Sequence, residues 1–64
     1  MKASYRVTKT RWNDYMCEFM IDGYADTDVR GTDGTGLKFY FTKEQAEAAG
    51  KRYIKKMQKN GFEI

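Results

Sequence analysis

The segment from Leu37 to Met57 joins an alternating strand to an amphipathic helix without a linker, and it constrains the fold more than any other part of the chain. Its first five residues alternate between a purely apolar set and a polar or amphipathic set: Leu37, Phe39 and Phe41 against Lys38 and Tyr40. A two-residue period is typical of a strand with one buried face. The pattern therefore predicts a strand whose apolar set faces the core.

The helix is predicted to begin after Thr42. Thr42 and Gln45 have the spacing of a capping box, in which each side chain accepts a hydrogen bond from the backbone amide of the other residue. Apolar residues then recur at helical spacing along one stripe: Ala46, Ala49, Tyr53, Ile54 and Met57. Gly50 costs this helix about 0.5–1 kcal/mol relative to Ala, so its presence indicates a close approach to the sheet. Asn60 and Gly61 supply a left-handed C-terminal cap.

Two alternating segments earlier in the chain predict the first and second strands: residues 3–11 and residues 15–22. A two-residue turn at Asn13-Asp14 would put the apolar sets of these strands on opposite faces of the sheet, since a one-residue slip reverses every side chain. A three-residue loop at 12–14 keeps both sets on one face. It gives two apolar cross-strand pairs: Val7 with Phe19 and Tyr5 with Ile21. The sequence therefore favours the three-residue loop with a bulge.

The stretch from Gly23 to Gly36 has little apolar content and holds four of the six glycines. Two interpretations are open. The stretch is a mobile loop, or the second strand continues past a bulge at Gly23 and turns back at Asp33-Gly34, a strong hairpin dipeptide. The dipeptide favours a long, partly ordered hairpin. Residues 62–64 either end the chain as a short strand or pack as a tail on the sheet.

These elements predict a single α+β domain over residues 1–64, a three-stranded antiparallel sheet packed on one C-terminal helix in the order β-β-β-α. No proline, repeat or linker divides the chain. A domain of this size buries only about 60% of the surface that its unfolded chain exposes. The core must be thin, so the aromatic residues, 16% of the chain, have to supply much of the buried area.

Side chains that commonly carry catalysis or bind metals are scarce. The chain has no histidine, and its one cysteine, Cys17, lies among apolar residues, where a free thiol behaves as a small hydrophobe. Residues 26–37 match a calcium loop in part, but Arg30 and Leu37 occupy positions where that loop needs oxygen ligands. The glycine-rich segment 31–36 leads into a strand, so it offers no helix N-terminus to a phosphate. The sequence predicts a non-enzymatic protein without a metal or other cofactor.

Cysteine content, hydropathy and charge bear on the compartment and the partner. A single cysteine cannot form an intramolecular disulfide and suits a reducing compartment. No apolar run reaches the length of a signal-peptide core or a membrane span, so a cytoplasmic protein without a membrane partner is expected. The net charge of +3 and the pI near 9.1 lean towards an anionic partner without requiring one, because lysine-rich helix faces are common on solvated proteins.

The sheet face that one helix cannot cover is the candidate site. Together with the first turn, this face is predicted to present methionines, aromatic residues and cations: Arg6, Trp12, Met16, Met20, Lys38 and Tyr40. Thr8, Thr10 and Glu18 are predicted to share it. Trp, Tyr and Arg dominate the energetics of interfaces, and flexible methionines adapt to a partner's shape. The pattern predicts a surface that binds a partner protein. Self-association with a second copy of this chain is the alternative use of the same surface.

Three predicted strands lead into the junction residues Phe41-Thr42-Lys43-Glu44 and Ala46. In these residues and in its order of elements, the chain resembles the arm-type DNA-binding domain of tyrosine integrases. The resemblance implies a nucleic-acid partner, with the uncovered sheet face in the major groove. It also implies the groove-facing residues: Arg6, Lys38 and Tyr40. Against it, Glu18 on the same face would repel phosphates, and methionines offer no hydrogen bonds to base edges.

The sequence as a whole predicts a small protein-binding module, with a DNA-binding module as the alternative. On size alone, such a chain suits an inhibitor or adaptor of the kind that phages and other mobile elements encode. The two functions differ in their response to salt. Binding dominated by phosphate contacts weakens steeply as salt is added, whereas an interface anchored on apolar residues does not.

Overall fold

The computed structural model describes every residue from Met1 to Ile64. Four strands and one helix follow one another along the chain: β1 (Ala3–Lys9), β2 (Tyr15–Ile21), β3 (Tyr24–Ala25), β4 (Leu37–Tyr40) and α1 (Lys43–Lys59). The predicted α+β class, an antiparallel sheet followed by one C-terminal helix, is confirmed. The structure also contains β3, a two-residue strand that the sequence pattern did not predict.

β2 is the central strand of the sheet. β1 pairs with one edge of β2, while β4 and β3 pair in succession with the other edge. All of these pairings are antiparallel. α1 packs on one face of the sheet, chiefly against β1 and β2. We call this face the helix side and the opposite, uncovered face the open face.

The β1–β2 hairpin is two residues away from its predicted register. Val7 lies opposite Cys17 instead of Phe19, and the connecting loop has five residues instead of three. The Thr10 amide donates to the Asp14 carbonyl at 2.9 Å, and the Thr10 hydroxyl donates to the Asp14 carboxylate, which closes the longer loop at its base. Because the shift is an even number of residues, both strands keep their predicted facing.

The favoured hairpin turn at Asp33-Gly34 is wrong. The chain reverses at Asp22-Gly23 instead, where φ is 53° and 83°, and Ile21 pairs with Tyr24. Positive φ at both central residues is the requirement of a two-residue type I′ hairpin. Asp33 and Gly34 also have positive φ, 54° and 78°, but they form a turn within the loop that connects β3 to β4.

The facing of β4 departs furthest from the prediction. Its register pairs Lys38 with Cys17, whose side chain lies in the core. Lys38 and Tyr40 therefore lie on the helix side. Leu37 and Phe39 lie on the open face, so the predicted placement of both sets is wrong.

Gly36 accounts for this facing. It continues the β4 register opposite Phe19, whose amide donates to the Gly36 carbonyl at 2.8 Å. A Cβ at Gly36 would lie 3.0 Å from the Phe19 carbonyl oxygen and 3.1 Å from the Asp26 amide nitrogen, and its φ is 70°. Both facts favour glycine. Since side chains alternate along a strand, Lys38 and Tyr40 then take the same side as Phe19.

Both ends of α1 match the predicted caps. The Gln45 amide donates to the Thr42 hydroxyl at 3.2 Å, and the Thr42 amide donates to the Gln45 side-chain oxygen at 3.3 Å. At the other end, Gly61 has φ of 91° and the Phe62 amide donates to the Met57 carbonyl at 3.0 Å. This is the Schellman arrangement, which satisfies carbonyl groups that a helix end otherwise leaves unpaired.

The core lies between α1 and the helix side of the sheet. Seven hydrophobic residues form it: Ala3, Cys17, Phe19, Ala46, Ala49, Tyr53 and Met57. The rings of Phe19 and Tyr53 are 4.9 Å apart and tilted by 57°, a favourable arrangement for an aromatic pair. The C-terminal tail forms a backbone bridge beside β1, between Lys2 and Glu63. The predicted helix stripe is confirmed, but the predicted burial of Phe39 is wrong because its side chain is 57% exposed.

Gly50 lets α1 approach β1 closely. A Cβ at this position would lie 2.6 Å from Cγ of Tyr5, well inside van der Waals contact. Gly50→Ala is therefore expected to lower the free energy of unfolding by about 1–3 kcal/mol through overpacking, although alanine is the better helix former. Chemical denaturation followed by circular dichroism measures the change. In a Tyr5→Ala background the same substitution should be neutral or stabilising, and an equal loss in both backgrounds would show that the ring is not the obstacle.

Candidate functional site

Nine side chains of the open face are arranged in three rows across the sheet. The row nearest the β1–β2 loop is Thr8, Met16 and Phe39; the middle row is Arg6, Glu18 and Leu37; the third row is Ser4, Met20 and Ala25. Side chains directly opposite one another in antiparallel strands have Cβ atoms about 4.5–5.5 Å apart. Neighbouring members of each row are therefore close enough to touch, and the three rows form one surface.

The middle row contains the only ion pair of the chain. Nη2 of Arg6 lies 3.1 Å from both carboxylate oxygens of Glu18. The Arg6 side chain is 66% exposed, so the pair contributes little to stability, on the order of 0–1 kcal/mol. Its main effect is electrostatic. Arg6 and Glu18 are the only charged residues in the three rows, and they neutralise each other.

Large apolar side chains occupy much of the remaining open face. Four lie within the rows: Met16, Met20, Leu37 and Phe39. Two exposed aromatic residues, Trp12 and Phe41, lie at the loop end of the sheet, and the Phe41 side chain is 88% exposed. An antiparallel sheet with one solvated face ordinarily places polar residues there. Apolar residues gathered on an exposed face mark an interaction surface.

Contacts within the β1–β2 loop hold Trp12 in place. Its amide donates to the Thr10 hydroxyl oxygen at 3.2 Å, and the Arg11 guanidinium lies 5.2 Å from the centre of its ring. A cation over an exposed indole contributes about 0.5–1 kcal/mol. Asn13 adopts a φ of 68°, a left-handed conformation that asparagine tolerates better than most residues. The loop therefore presents a large aromatic side chain to solvent at one end of the open face.

The structure brings together most of the predicted site residues. Arg6, Met16 and Met20 lie on the open face as predicted, and Trp12 lies at its loop end. Lys38 and Tyr40 do not join them, because the register set by Gly36 turns both to the helix side. Their predicted place on the open face is wrong.

Three apolar residues of the site were missed: Leu37, Phe39 and Phe41. The sequence pattern assigned this set to the core because it is more hydrophobic than Lys38 and Tyr40. The one sequence signal at this position is Gly36, which immediately precedes β4 and is typical of a close backbone approach. A comparison of the hydrophobicity of the two alternating sets does not take this glycine into account.

Lys38 and Tyr40 line a groove of about 560 Å³ on the helix side. Tyr40 packs against the core, and burial raises the pKa of its hydroxyl, while the Arg52 guanidinium acts in the opposite direction. The Lys38 side chain extends to the β3–β4 loop, where a Cβ on Gly31 would lie 2.8 Å from its Cε. Nζ of Lys38 would lie 3.3 Å from the same Cβ, so the ammonium group lies beside Gly31.

Asp26 connects the β3–β4 loop to α1. Its Oδ2 accepts from the Tyr53 hydroxyl at 2.9 Å, and its Oδ1 accepts from the Asp28 amide at 3.1 Å. Burial, followed by the hydrogen bond to Asp26, raises the pKa of the Tyr53 hydroxyl. The hydroxyl therefore remains a donor at neutral pH. Both oxygens of this nearly buried carboxylate are occupied by donors of the chain itself.

Cys17 is buried beneath α1, and burial, with a smaller contribution from the Glu18 charge, raises its thiol pKa from 9.0 to about 11. The native state keeps this proton to higher pH than the unfolded state. The free energy of unfolding is therefore expected to fall as the pH rises through 9 to 11. Iodoacetamide requires the thiolate, so alkylation at pH 9 should be slow in the native protein and fast in denaturant. Rapid alkylation of the native protein would contradict this account.

No protein-family model, curated protein or solved structure matches this chain. No helix in the structure combines the length and the apolar character needed to cross a membrane.

Proposed function

We propose that this chain is a non-enzymatic binding module that uses its open face to bind a partner protein. The observation that supports the proposal is the presence of four large apolar side chains within three neighbouring rows of one sheet face: Met16, Met20, Leu37 and Phe39. Removing apolar surface from water is favourable by about 25 cal/mol per Å². A partner that covers these rows gains this term, and the flexible methionines adapt to its contour.

The charge of the open face favours a protein over a nucleic acid. Arg6 is the only cation in the three rows, and its guanidinium already donates to Glu18. Nucleic-acid binding relies on several free cations that contact phosphates. Of the residues that the integrase resemblance directs to the major groove, Lys38 and Tyr40 lie on the helix side. The complementary partner surface is apolar, with polar groups that can meet the Arg6–Glu18 pair.

An inhibitor or adaptor role fits a surface of this kind. Such a protein acts by occupying a partner's surface, and it needs buried anchor residues more than reactive groups. Phe39, Trp12 and Phe41 are the exposed aromatic anchors at one end of the open face. Arg6 and Glu18 supply a polar contact in the middle row, where a mismatched partner would leave charges unpaired.

Affinity capture with the tagged chain, followed by titration of the purified partner over a series of salt concentrations, tests the proposal. The expected partner is a protein whose affinity changes little with salt, because the open face carries no net charge. Duplex DNA titrated in parallel is expected to bind more weakly. DNA binding that exceeds binding to every captured protein and weakens steeply with salt would establish the alternative. Analytical ultracentrifugation of the free chain measures its oligomeric state and would detect a second copy of the chain bound at the open face.

A further inference from the structure

The helix-side groove is a concave surface separate from the open face. Its volume, about 560 Å³, falls within the range of about 300–1,000 Å³ that small-molecule sites occupy. One wall consists of the β3–β4 loop and β4, and the other is the C-terminal half of α1. Half-buried apolar side chains from β2, the β3–β4 loop, β4 and the segment after α1 line it: Ile21, Val29, Tyr40 and Phe62. The groove therefore has an apolar lining that remains partly accessible.

Four cations from three elements line the same groove. Arg30 comes from the β3–β4 loop, Lys38 from β4, and Arg52 and Lys56 from α1. Arg52 and Lys56 are four residues apart, so they lie on the same side of the helix. None of the four belongs to an ion pair, because the chain's single ion pair is formed elsewhere. Their positive charges are therefore not neutralised by close contacts within the protein.

Two acidic residues, Asp26 and Asp28, also line the groove. The Asp26 oxygens accept from the Tyr53 hydroxyl and the Asp28 amide, so this carboxylate is engaged by neutral donors. Asp28 is exposed and forms no ion pair. The cations thus outnumber the carboxylates by two to one around a concave, partly apolar surface. Such a surface concentrates anions, and a guanidinium binds carboxylate or phosphate through two parallel hydrogen bonds.

We propose that this groove binds an aromatic anion, a small molecule in which a flat apolar ring carries a carboxylate or a phosphate. The ring matches the apolar lining, and the charged group matches the four cations. Arginine distinguishes this groove from the other concave surface beside α1, whose cations are all lysines: Lys2, Lys51 and Lys55. A planar guanidinium group can donate two parallel hydrogen bonds to one carboxylate or phosphate, whereas an ammonium group acts as a point charge. The inference does not depend on partner binding at the open face.

Titration of the amide-labelled full chain with naphthyl phosphate and with naphthoate, followed by nuclear magnetic resonance, tests the proposal. At least one of these anions is expected to shift the amide signals of groove residues such as Val29, Arg30 and Tyr40. Naphthol carries the ring without the charge, and inorganic phosphate carries the charge without the ring. Each is expected to bind at least about tenfold more weakly than the better aromatic anion. The order of the two aromatic anions identifies the preferred charged group.

Two matched double variants separate the groove from the general positive charge of the helix. Arg52→Gln with Lys56→Gln removes two groove cations and should weaken binding by about tenfold or more, since interactions with charged donors are strong. Lys51→Gln with Lys55→Gln also removes two positive charges at the same four-residue spacing, but at exposed helix positions outside this groove. This control should alter binding by less than about twofold. The amide spectrum confirms that each variant is folded. The proposal is overturned if neither aromatic anion shifts the groove amides or if both double variants weaken binding equally.

Discussion

Phe19→Ala is expected to remove most of the free energy of unfolding of this domain. Phe19 lies on the central strand, is only 3% exposed, and packs its ring against Tyr53 in the core. Replacing a buried phenylalanine by alanine lowers the free energy of unfolding by about 3–5 kcal/mol. Small domains have total stabilities near the lower end of about 5–15 kcal/mol, so this loss removes most of the margin. Thermal and chemical denaturation followed by circular dichroism measures it.

Phe39→Ala is the matched control, because it deletes the same atoms from a side chain that is 57% exposed on the open face. Its expected effect on the free energy of unfolding is within about 1 kcal/mol, since little buried surface is lost. A large loss for Phe39→Ala together with a small one for Phe19→Ala would show that the core has been assigned to the wrong face of the sheet.

Phe39→Glu is expected to weaken binding to the partner protein strongly while leaving the fold intact. The side chain extends from an edge strand into solvent, so a carboxylate there stays hydrated in the free protein. In the complex the carboxylate would be buried without a partner, and an apolar anchor would be lost. Together these effects should weaken binding by at least about 2 kcal/mol, or roughly thirtyfold. Titration calorimetry with the captured partner measures the change.

Tyr24→Glu is the matched control for this change. Tyr24 is an aromatic residue on a strand and is 79% exposed, but it pairs with Ile21, whose side chain lies on the helix side. The substitution therefore introduces the same carboxylate away from the open face. Wild-type affinity is expected for Tyr24→Glu. Equal losses in both variants would indicate that net charge, and not the open face, governs binding.

The helix and its junction could be predicted closely because their signals are local. The capping box between Thr42 and Gln45, the apolar stripe and the cap at Gly61 each depend on residues within a few positions of one another. Gly50 was also interpretable, since a glycine inside an otherwise strong helix indicates a close contact. The contact with Tyr5 supplies the reason.

The facing of β4 could not be predicted because it depends on a contact distant in sequence. Alternation shows which residues share a face, but it does not show which face meets the helix. The packing of Gly36 against Phe19 and Asp26 decides that question. As a result Lys38 and Tyr40 were assigned to the wrong surface, and the apolar residues Leu37 and Phe39 were assigned to the core.

The prediction of the hairpin turn failed for a different reason. Asp22-Gly23 and Asp33-Gly34 are the same dipeptide, and both adopt positive φ at both positions. Local turn chemistry cannot tell which one reverses a hairpin, since that depends on the pairing of the flanking strands. Only Asp22-Gly23 is followed at once by a residue, Tyr24, that pairs back with β2.

Methyl labelling of the methionines tests the central claim, that the open face binds a protein, most directly. Met16 and Met20 lie on the open face, whereas Met57 is 7% exposed and lies in the core, on the buried side of α1. On addition of the captured partner, the methyl signals of Met16 and Met20 are expected to shift while that of Met57 stays in place. The claim would be contradicted if the Met16 and Met20 signals stay unchanged at saturating partner while the signal of Met57, which lines the helix-side groove, shifts.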